Sequence, residues 1–251
     1  MNFNNNQSKY WDLKFYRFKN LYYPRVLIAQ KDKRIIESIE NLKNKKILKT
    51  DLFEEVHGNN NLIFSAAKKN FTVGIDISKK IAQHAKRYER GAFIVNSTIS
   101  CLPFKDESFD VIISTSTIDH LPYNEVPNTF NELSRILKKD GIIFLTVDNY
   151  HNLLYRIEFI FWKFFNLYYR SKCFKISEIK HFANLSKLKV NKIETIMTFP
   201  PIIDKFLITL HHFFKIDTNE VFKFISGIST KLNKNHKYTS GRFIFVELTK
   251  R

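Results

Sequence analysis

The stretch ILKTDLFEEVHG, residues 47–58, decides which fold this chain adopts. It begins with apolar residues typical of a buried strand, continues into a short polar loop, and is followed later by a second strand-like stretch, GIDIS at 74–78. A loop of this kind between a strand and a helix often binds a nucleotide, and it normally contains glycines because the backbone must approach the ligand closely. Here the glycine of the stretch is Gly58, well beyond the tip of the loop. Three interpretations remain open: a cofactor loop built differently, a degenerate loop, or no cofactor loop.

Apolar runs alternate with helical patterns on both sides of this stretch. Strands separated by helices predict a parallel sheet covered by helices on both faces. Ser78 is a predicted N-cap for the helix that follows the second strand. The alternating apolar residues near the carboxyl end predict an edge strand of the same sheet. The predicted strands are 45–53, 71–78, 92–98, 108–117, 141–149, 188–199 and 241–250, and the predicted helices are 25–44, 61–69, 78–90 and 125–138.

The charge of the chain allows two explanations. Lys and Arg number 41 against 24 Asp and Glu, which gives a formal net charge of +17. Such an excess indicates either an anionic partner or a compositional bias towards Lys, Asn and Ile. The basic residues are scattered and form no recognised nucleic-acid module, so nucleic acid is the less favoured partner. Cys101 and Cys173 have no metal-ligand spacing, and no other metal motif appears. The start of the chain lacks a signal-peptide pattern, which predicts a cytoplasmic location.

Two segments are rich in aromatic residues, at 151–170 and 199–216. Arg156, Lys163 and Arg170 lie along one stripe of the first segment if it is helical. Its charged residues are too frequent for a membrane span. Both segments could be helices packed on the core. Alternatively, they could present aromatic side chains to an anionic membrane surface or to a lipid-like substrate, with peripheral attachment of the protein.

Residues 109–149 resemble the second half of class I S-adenosylmethionine-dependent methyltransferases of the methyltransferase type 11 group. The features that carry the resemblance are Phe109-Asp110, Asp119-His120 and the run from Leu137 to Gly141, in the order of the family. The run ISCLPFKDESFD at 99–110 matches the family's link between the third and fourth strands. The resemblance covers roughly residues 46–149. It implies an α/β, Rossmann-like sheet of seven strands, mostly parallel, with an antiparallel last strand and S-adenosylmethionine across the carboxyl ends of the first strands.

Two departures from the family pattern affect the implied cofactor site. Lys49 takes the position of an acidic residue, and Asp51 and Phe53 fall where glycines are expected. The run KTDLFEE is similar to the loop of a variant group within the superfamily. Thr98 takes the position of the aspartate that binds adenine, and a neutral hydroxyl is expected to bind more weakly.

The resemblance also implies roles for individual residues. Asp76 matches the acidic residue that holds both ribose hydroxyls. Asp51, Glu54 or Glu55 could face the positive methionine end of the cofactor, while Thr50 binds its carboxylate. His120 is a candidate general base oriented by Asp119, although it could simply close a loop. The full predicted cofactor site comprises Lys49, Thr50, Asp51, Asp76, Ile77, Thr98, Ile99, Ser114 and Thr115.

These observations predict a single domain, 1–251, that transfers methyl groups from S-adenosylmethionine to a small-molecule, lipid-linked or glycan acceptor. Within it we expect an N-terminal helical cover at 1–45, a cofactor-binding core at 46–150, and cap helices with the last two strands at 151–251. The alternatives are a catalytically silent binding protein with the same fold and a basic RNA methyltransferase. Lys49 and Thr98 favour the silent protein, whereas Asp76 and the STSTIDH loop at 114–120 favour the enzyme.

Overall fold

The structure is a computed structural model of the 251-residue chain. It describes residues 3–18, 25–57, 62–87, 91–164, 172–197, 206, 210, 213–214, 217, 219–232 and 241–251. All structural statements below refer to these residues.

Seven strands and nine helices are defined in the described part of the chain. The strands are β1 (Lys46–Lys49), β2 (Phe71–Asp76), β3 (Ala92–Asn96), β4 (Phe109–Thr115), β5 (Leu137–Asp148), β6 (Leu188–Ile196) and β7 (Phe243–Lys250). The helices are α1 (Phe3–Phe18), α2 (Arg25–Ile39), α3 (Phe53–Val56), α4 (Leu62–Ala67), α5 (Lys79–Lys86), α6 (Val126–Ile136), α7 (Leu153–Phe164), α8 (Ile176–Leu185) and α9 (Asn219–Leu232), with 3₁₀ turns at Ile118–His120 and Tyr123–Glu125.

The strands form one mixed sheet in the order β3-β2-β1-β4-β5-β7-β6. β1 to β5 are parallel, and β7 runs antiparallel to both of its neighbours. This arrangement confirms the predicted α/β, Rossmann-like sheet of seven strands with an antiparallel last strand. Ser78 accepts a hydrogen bond from the Ile81 amide, as its predicted N-cap role requires.

Apolar clusters cover both faces of the sheet. On one face, Phe130 and Leu133 of α6 and Phe182 of α8 pack with the strand residues. On the other face, Ile35 of α2 and Leu62 of α4 contribute to a second cluster. Because both faces are buried, the parallel strands are continuous apolar runs. The carboxyl ends of β1, β2 and β4 are therefore fixed relative to one another.

The last strand lies inside the sheet, between β5 and β6, and the prediction of an edge position is wrong. Ile244 and Val246 pack into the first cluster, whereas Phe243 and Phe245 pack into the second. A strand with apolar residues on both faces is stable only where both faces are covered. The edge position belongs to β6.

Two predicted boundaries are also wrong. β1 ends at Lys49 instead of continuing to residue 53, because the chain turns there into α3. The fifth strand was predicted to begin at residue 141, but β5 already begins at Leu137. Leu137 is fully buried and pairs with Phe109, and a register shift between Phe109 and Val111 accommodates the longer strand.

The polar start of the chain forms helix α1, which was not predicted from its pattern. Trp11 and Phe15 lie on one face of α1, four residues apart, and pack with the cluster formed around α3 and α5. Of the aromatic segments, α7 covers 153–164, while 165–171 and most of 199–216 lie outside the described residues. The division of the domain at residues 45 and 150 stays a prediction.

Candidate active site

The predicted site residues meet at the carboxyl ends of the central strands. β1 ends at Lys49, β2 at Asp76 and β4 at Thr115. The strand order reverses between β1 and β4, since the chain continues from β1 outwards to β2 and β3 and then returns to β4. Open α/β sheets bind ligands in the crevice at such a reversal point. The sheet therefore provides the location that the sequence predicted for the cofactor.

Asp76 ends β2 as a buried carboxylate held by two backbone amides. Its Oδ2 accepts from the Leu52 amide at 3.0 Å and its Oδ1 from the Ser78 amide at 2.8 Å. Burial raises the pKa of Asp76 to about 7, against the effect of these two hydrogen bonds. A carboxylate has about four acceptor positions, so Asp76 retains capacity for further donors such as the two hydroxyls of a ribose.

Lys49 is buried completely beneath the loop that follows β1. Its Nζ donates to the Asp51 carbonyl at 2.7 Å, to Asp51 Oδ2 at 3.3 Å and to Glu55 Oε2 at 3.1 Å. Burial by itself lowers the pKa of an ammonium, but the charges of Asp51 and Glu55 outweigh it and raise the pKa of Lys49. Burial raises the pKa of Glu55 to about 8, although Lys49 opposes the rise. Lys49 thus uses its three donors inside the protein.

Asp51 is the carboxylate that this network presents at the surface of the site. Its side chain is 21% exposed, whereas those of Lys49 and Glu55 are not exposed at all. Its Oδ2 also accepts from Thr115 Oγ1 at 3.1 Å and from Thr117 Oγ1 at 3.4 Å. The Lys49 ammonium donates to both Asp51 and Glu55, and of these two carboxyl groups only that of Asp51 reaches the surface of the site. Asp51 is therefore the acidic side chain that lies near the place where the family has one.

Side-chain hydrogen bonds hold the loop where the family uses glycines. Thr50 Oγ1 donates to Ser114 Oγ at 3.0 Å and lies 3.0 Å from Thr117 Oγ1. The non-glycine residues with positive φ in the described chain are Asn44, Glu107, Ser116, Lys187 and Met197, and none lies in this loop. The path of the chain from 49 to 57 thus requires no glycine. The interpretation as a cofactor loop built differently stays a prediction.

The predicted adenine-side residues lie beyond β3. Thr98 is half-buried, and its Oγ1 lies 3.0 Å from Ser100 Oγ. Ile99 is buried, and Ile77 is half-buried next to Asp76. The Ser97 amide donates to the Asp76 carbonyl at 3.1 Å, which joins this loop to the end of β2. The structure thus places Thr98 and Ile99 beside the ribose position but outside the hydrogen-bond network of Asp51.

The predicted catalytic pair occupies the 3₁₀ turn after β4. His120 Nε2 and Asp119 Oδ2 are 3.9 Å apart, which is too long for a direct hydrogen bond. Asp119 is almost completely buried, and burial together with the charge of Asp148 raises its pKa well above the usual value. Its Oδ1 has no hydrogen-bond partner among the described residues. The roles of His120 as general base and of Asp119 as its orienting group stay predictions.

Helix α1 contributes residues that the sequence did not reveal. The Asp12 carboxylate accepts from Ser78 Oγ and, at 3.1 Å, from the Lys80 amide. The Trp11 ring packs edge-on against Phe53 at 5.6 Å and against His120 at 5.0 Å between centroids. α1 therefore contacts the ends of β2 and β4 at once and covers the crevice between them. An Asp one residue before a Trp gives no recognisable signal in the sequence.

A second polar group lies beside Asp119. Tyr155 of α7 donates to Asp148 Oδ1 at 3.2 Å, and Arg242 donates to the Tyr155 oxygen at 3.3 Å. Arg242 also stacks over the Tyr155 ring at 4.4 Å. Asp148 ends β5, so its position at the carboxyl edge of the sheet was the signal that could have identified it. The charge of Asp148 acts on Asp119, so these buried side chains lie near the turn that carries His120.

The described residues fit S-adenosylmethionine. Asp76 supplies the carboxylate for a ribose diol, and Asp51 supplies the negative charge for the ammonium and sulfonium of the methionine end. Residues 57–145 match the family model described as a methyltransferase domain. This match and the seven-stranded sheet support a class I S-adenosylmethionine-dependent methyltransferase, and they imply S-adenosylmethionine as the cofactor.

The proteins similar to this chain include archaeal and bacterial ones. An uncharacterized protein of Methanocaldococcus jannaschii is 28% identical over 91% of this chain and 92% of its own length. The uncharacterized methyltransferase YcgJ of Bacillus subtilis is 32% identical over 31% of this chain and 32% of its own length. Its crystal structure covers 88% of this chain and 98% of YcgJ, with a TM-score of 0.57 and 15% identity.

A third similar protein is a Haloferax volcanii methyltransferase solved in complex with a methyltransferase activator. The similarity covers 96% of this chain and 94% of that chain, with a TM-score of 0.61 and 13% identity. At this level of identity the structural comparison shows the fold, and the partner belongs to that protein.

The described residues provide neither a metal site nor a membrane-spanning helix. They contain no group of three or more His, Cys, Asp or Glu side chains arranged to hold a metal ion. Within the same part of the chain, no helix has the length and apolar character needed to cross a membrane.

Proposed function

We propose that this chain transfers a methyl group from S-adenosylmethionine to a small-molecule, lipid-linked or glycan acceptor. The observation that carries the proposal is the pair of carboxylates at the reversal point of the sheet. Asp76 is fixed by the Leu52 and Ser78 amides, and Asp51 is fixed by Lys49 and Thr115. Both are held in place before any ligand arrives, which lowers the cost of ordering the site on binding.

Methyl transfer requires little acid–base chemistry from the protein. S-adenosylmethionine supplies, when bound, a methyl group on a positively charged sulfur. The remaining tasks are to align the acceptor, to exclude water and to accept a proton if the acceptor is protonated. Trp11 and Phe53 exclude water on one side of the crevice. His120 is the proposed proton acceptor, with Asp119 as its orienting group, for an acceptor bound beside Asp148.

The experiment that tests the cofactor site is calorimetric titration with S-adenosylmethionine and S-adenosylhomocysteine. We expect both to bind the wild-type protein and Asp76→Ala to weaken both. The matched control is Asp140→Ala, which removes an exposed carboxylate at the amino end of β5, away from the site, and is expected to leave both affinities unchanged. Unchanged binding in Asp76→Ala would place the cofactor elsewhere.

The silent binding protein is the alternative that a specific observation favours. Thr98 offers a neutral hydroxyl that already lies 3.0 Å from Ser100 Oγ, so it provides a weaker adenine contact than a carboxylate. Incubation with tritiated methyl donor and separate lipid, small-molecule, glycan and RNA fractions distinguishes the candidates. Label in one fraction identifies an enzyme and its acceptor class, with RNA as the remaining enzymatic alternative. Cofactor binding without label in any fraction favours the silent protein.

Helix α7 supports an acceptor or a membrane of apolar character. Among the side chains of α7 that the structure describes, the exposed ones form an apolar face, and Arg156 lies on the flank of that face. An amphipathic helix with an apolar face and cationic flanks binds the surface of anionic bilayers. We propose peripheral membrane attachment through this face. The face consists of Leu153, Leu154, Ile157 and Ile160, with exposures of 57–60%.

Vesicle co-sedimentation tests this attachment. We expect binding to anionic vesicles, weaker binding to neutral ones, and loss with added salt. Ile157→Ser with Ile160→Ser is expected to abolish the binding, whereas the matched control Ile36→Ser with Leu185→Ser alters exposed apolar residues elsewhere and is expected to retain it. Negligible binding to both vesicle types would refute the attachment and leave a water-soluble acceptor.

A further inference from the structure

A shallow cavity lies at the end of the sheet opposite the cofactor site. Two segments line it, residues 43–46 before and at the start of β1, and residues 67–71 before and at the start of β2. Lys46 and Phe71, the first residues of the two strands, are partners in the sheet. The cavity has a volume of about 590 Å³. Its position at the amino ends of the strands separates it from Asp76 by the full length of β2.

Lysines dominate the lining of this cavity. Five of its nine residues are lysines, and all five are exposed: Lys43, Lys45, Lys46, Lys68 and Lys69. None of them forms an ion pair with a carboxylate of a described residue. The nearby Asp110 accepts from the Lys46 amide at 2.8 Å and pairs with Lys138 at 2.9 Å, so its charge is already matched. The cavity therefore carries a strong positive potential that scattered surface lysines would not create.

Two exposed phenylalanines stand beside the lysines. Phe71 lines the cavity and is 48% exposed, and Phe93 on the neighbouring strand is 59% exposed. Their rings are stacked, with centroids 4.9 Å apart and an angle of 28° between the planes. Each ring is covered by the other on one face only. The pair thus forms a small aromatic platform at the edge of a cationic cavity.

Asn70 fixes the shape of the cavity. Its Oδ1 accepts from the Lys45 amide at 3.0 Å, and its Nδ2 donates to the carbonyls of Leu42 at 3.0 Å and Ala66 at 3.1 Å. The Asn44 amide donates to the Lys69 carbonyl at 2.9 Å, with Asn44 at a φ of 58°. These bonds join the two lysine segments, so the lysines are held near one another without a ligand.

We propose that this cavity binds single-stranded nucleic acid, with phosphates among the lysines and a base stacked on the Phe71–Phe93 platform. Proteins that bind single strands combine a cationic groove along the backbone with aromatic side chains under the bases. A flat bilayer contacts a concave surface only at its rim, which makes a membrane the poorer occupant. The surface is independent of the proposed methyl transfer because it lies at the other end of the sheet.

The test uses the whole protein and a fluorescein-labelled oligomer of twelve uridines. Fluorescence anisotropy is expected to show saturable binding whose affinity falls with salt. With three to five lysines contacting phosphates, the slope of log K against log[salt] is expected at about −2 to −3.5. An unlabelled RNA duplex of equal length is expected to compete more weakly, because its bases cannot reach the platform.

Two variants and one control assign the binding to this cavity. Lys45→Glu with Lys68→Glu is expected to weaken binding at least about tenfold. Phe71→Ser is expected to weaken it about tenfold through the lost stacking. The control Lys180→Glu with Lys189→Glu makes the same change in net charge on the other half of the sheet and is expected to alter the affinity less than about twofold.

Several results would overturn the proposal. One is that the oligomer does not bind at low salt. Another is that the lysine variant and the lysine control lose the same amount of affinity. A third is that the duplex competes as well as the single strand and Phe71→Ser binds the oligomer as the wild type does. The surface would be assigned to a membrane if the oligomer does not bind, but anionic vesicles do and Lys45→Glu with Lys68→Glu weakens their binding. S-adenosylhomocysteine affinity is measured in every variant. It is expected to stay unchanged, which separates a failure here from a failure of the proposed function.

Discussion

Lys49 offers the sharpest test of how the glycine-free loop is built. Replacing it with Met keeps the length of the side chain and removes the cation from a site where Lys49 and Glu55 have no exposed side-chain surface. Glu55 and Asp51 then face each other without the ammonium that holds them, at 3.1 and 3.3 Å from its Nζ in the wild type. Removing one partner of a buried ion pair typically costs about 3–5 kcal/mol of the free energy of unfolding. For a chain of this size the loss corresponds to a decrease in Tm of about 6–20 °C.

The stability of a double variant and the pH dependence of the single variant provide two further tests. Replacing both partners by apolar groups of similar size is often neutral, so Lys49→Met with Glu55→Met is expected to recover most of the stability. In Lys49→Met, Glu55 binds a proton more tightly in the folded state, where it is buried, than in the unfolded state. Its folded pKa is then above the value of about 8 that it has in the wild type, so the added cost of the variant grows as pH rises through about 8. The cost of the single variant is therefore expected to be smaller at pH 5 than at pH 8.

Urea denaturation at pH 5 and pH 8 measures these effects in the single and double variants. Lys33→Met, the same change on an exposed lysine that lies 3.8 Å from Glu37, is the control and is expected to cost less than about 0.5 kcal/mol. Two results would refute the buried network as the support of the loop. One is a decrease in the free energy of unfolding of less than about 1 kcal/mol in Lys49→Met. The other is a decrease in the double variant that equals the sum of the decreases in the two single variants.

Three further predictions concern other parts of the molecule. Burial raises the pKa of Asp76 to about 7, and the ribose contact needs the charged form of this carboxyl group. The affinity for S-adenosylhomocysteine, measured by calorimetry, is therefore expected to rise from pH 6 to pH 8. If this pH dependence persists in Asp76→Asn, the assignment is wrong. Asp51→Asn is expected to weaken S-adenosylmethionine by roughly 1–3 kcal/mol in the same titration, and unchanged affinity would remove Asp51 from the site. Gly241→Ala is expected to lower the urea midpoint more than Gly227→Ala does. An added Cβ at 241 would lie 2.7 Å from the Ile196 amide nitrogen, whereas at 227 it meets open space.

The sheet could be predicted from the sequence because its signals are local. Apolar runs separated by helical patterns define parallel strands, and their order follows from the resemblance between 46 and 149. The position of β7 was misjudged because alternation was read into a continuous run, Phe243 to Val246, whose residues are all buried. A continuous apolar run indicates a strand covered on both faces, which is the interior position observed.

The candidate site could be predicted only in part because its geometry depends on distant residues. Asp76 was placed correctly at the carboxyl end of β2 because a strand end can be identified from the neighbouring sequence. The bond between Thr50 and Ser114 spans 64 residues, and the contact between Asp12 and Ser78 spans 66. No pattern around Thr50 or Asp12 indicates such partners. The sequence shows Lys49 in place of an acidic residue. Its ion pair with Glu55, in which both side chains are buried, is evident only from the structure.

The position of α1 has a consequence for the timing of the reaction. Trp11 touches the turn that carries His120, and Asp12 ties the same helix to the start of α5. From these contacts we infer that a cofactor between β2 and β4 leaves only when α1 moves away. We expect release of the spent cofactor to be slow and to accelerate in Asp12→Ala, with the dwell time of a bound molecule set by the opening frequency of one helix. Movement of the polar helix at the start of the chain would then limit the rate of the catalytic cycle.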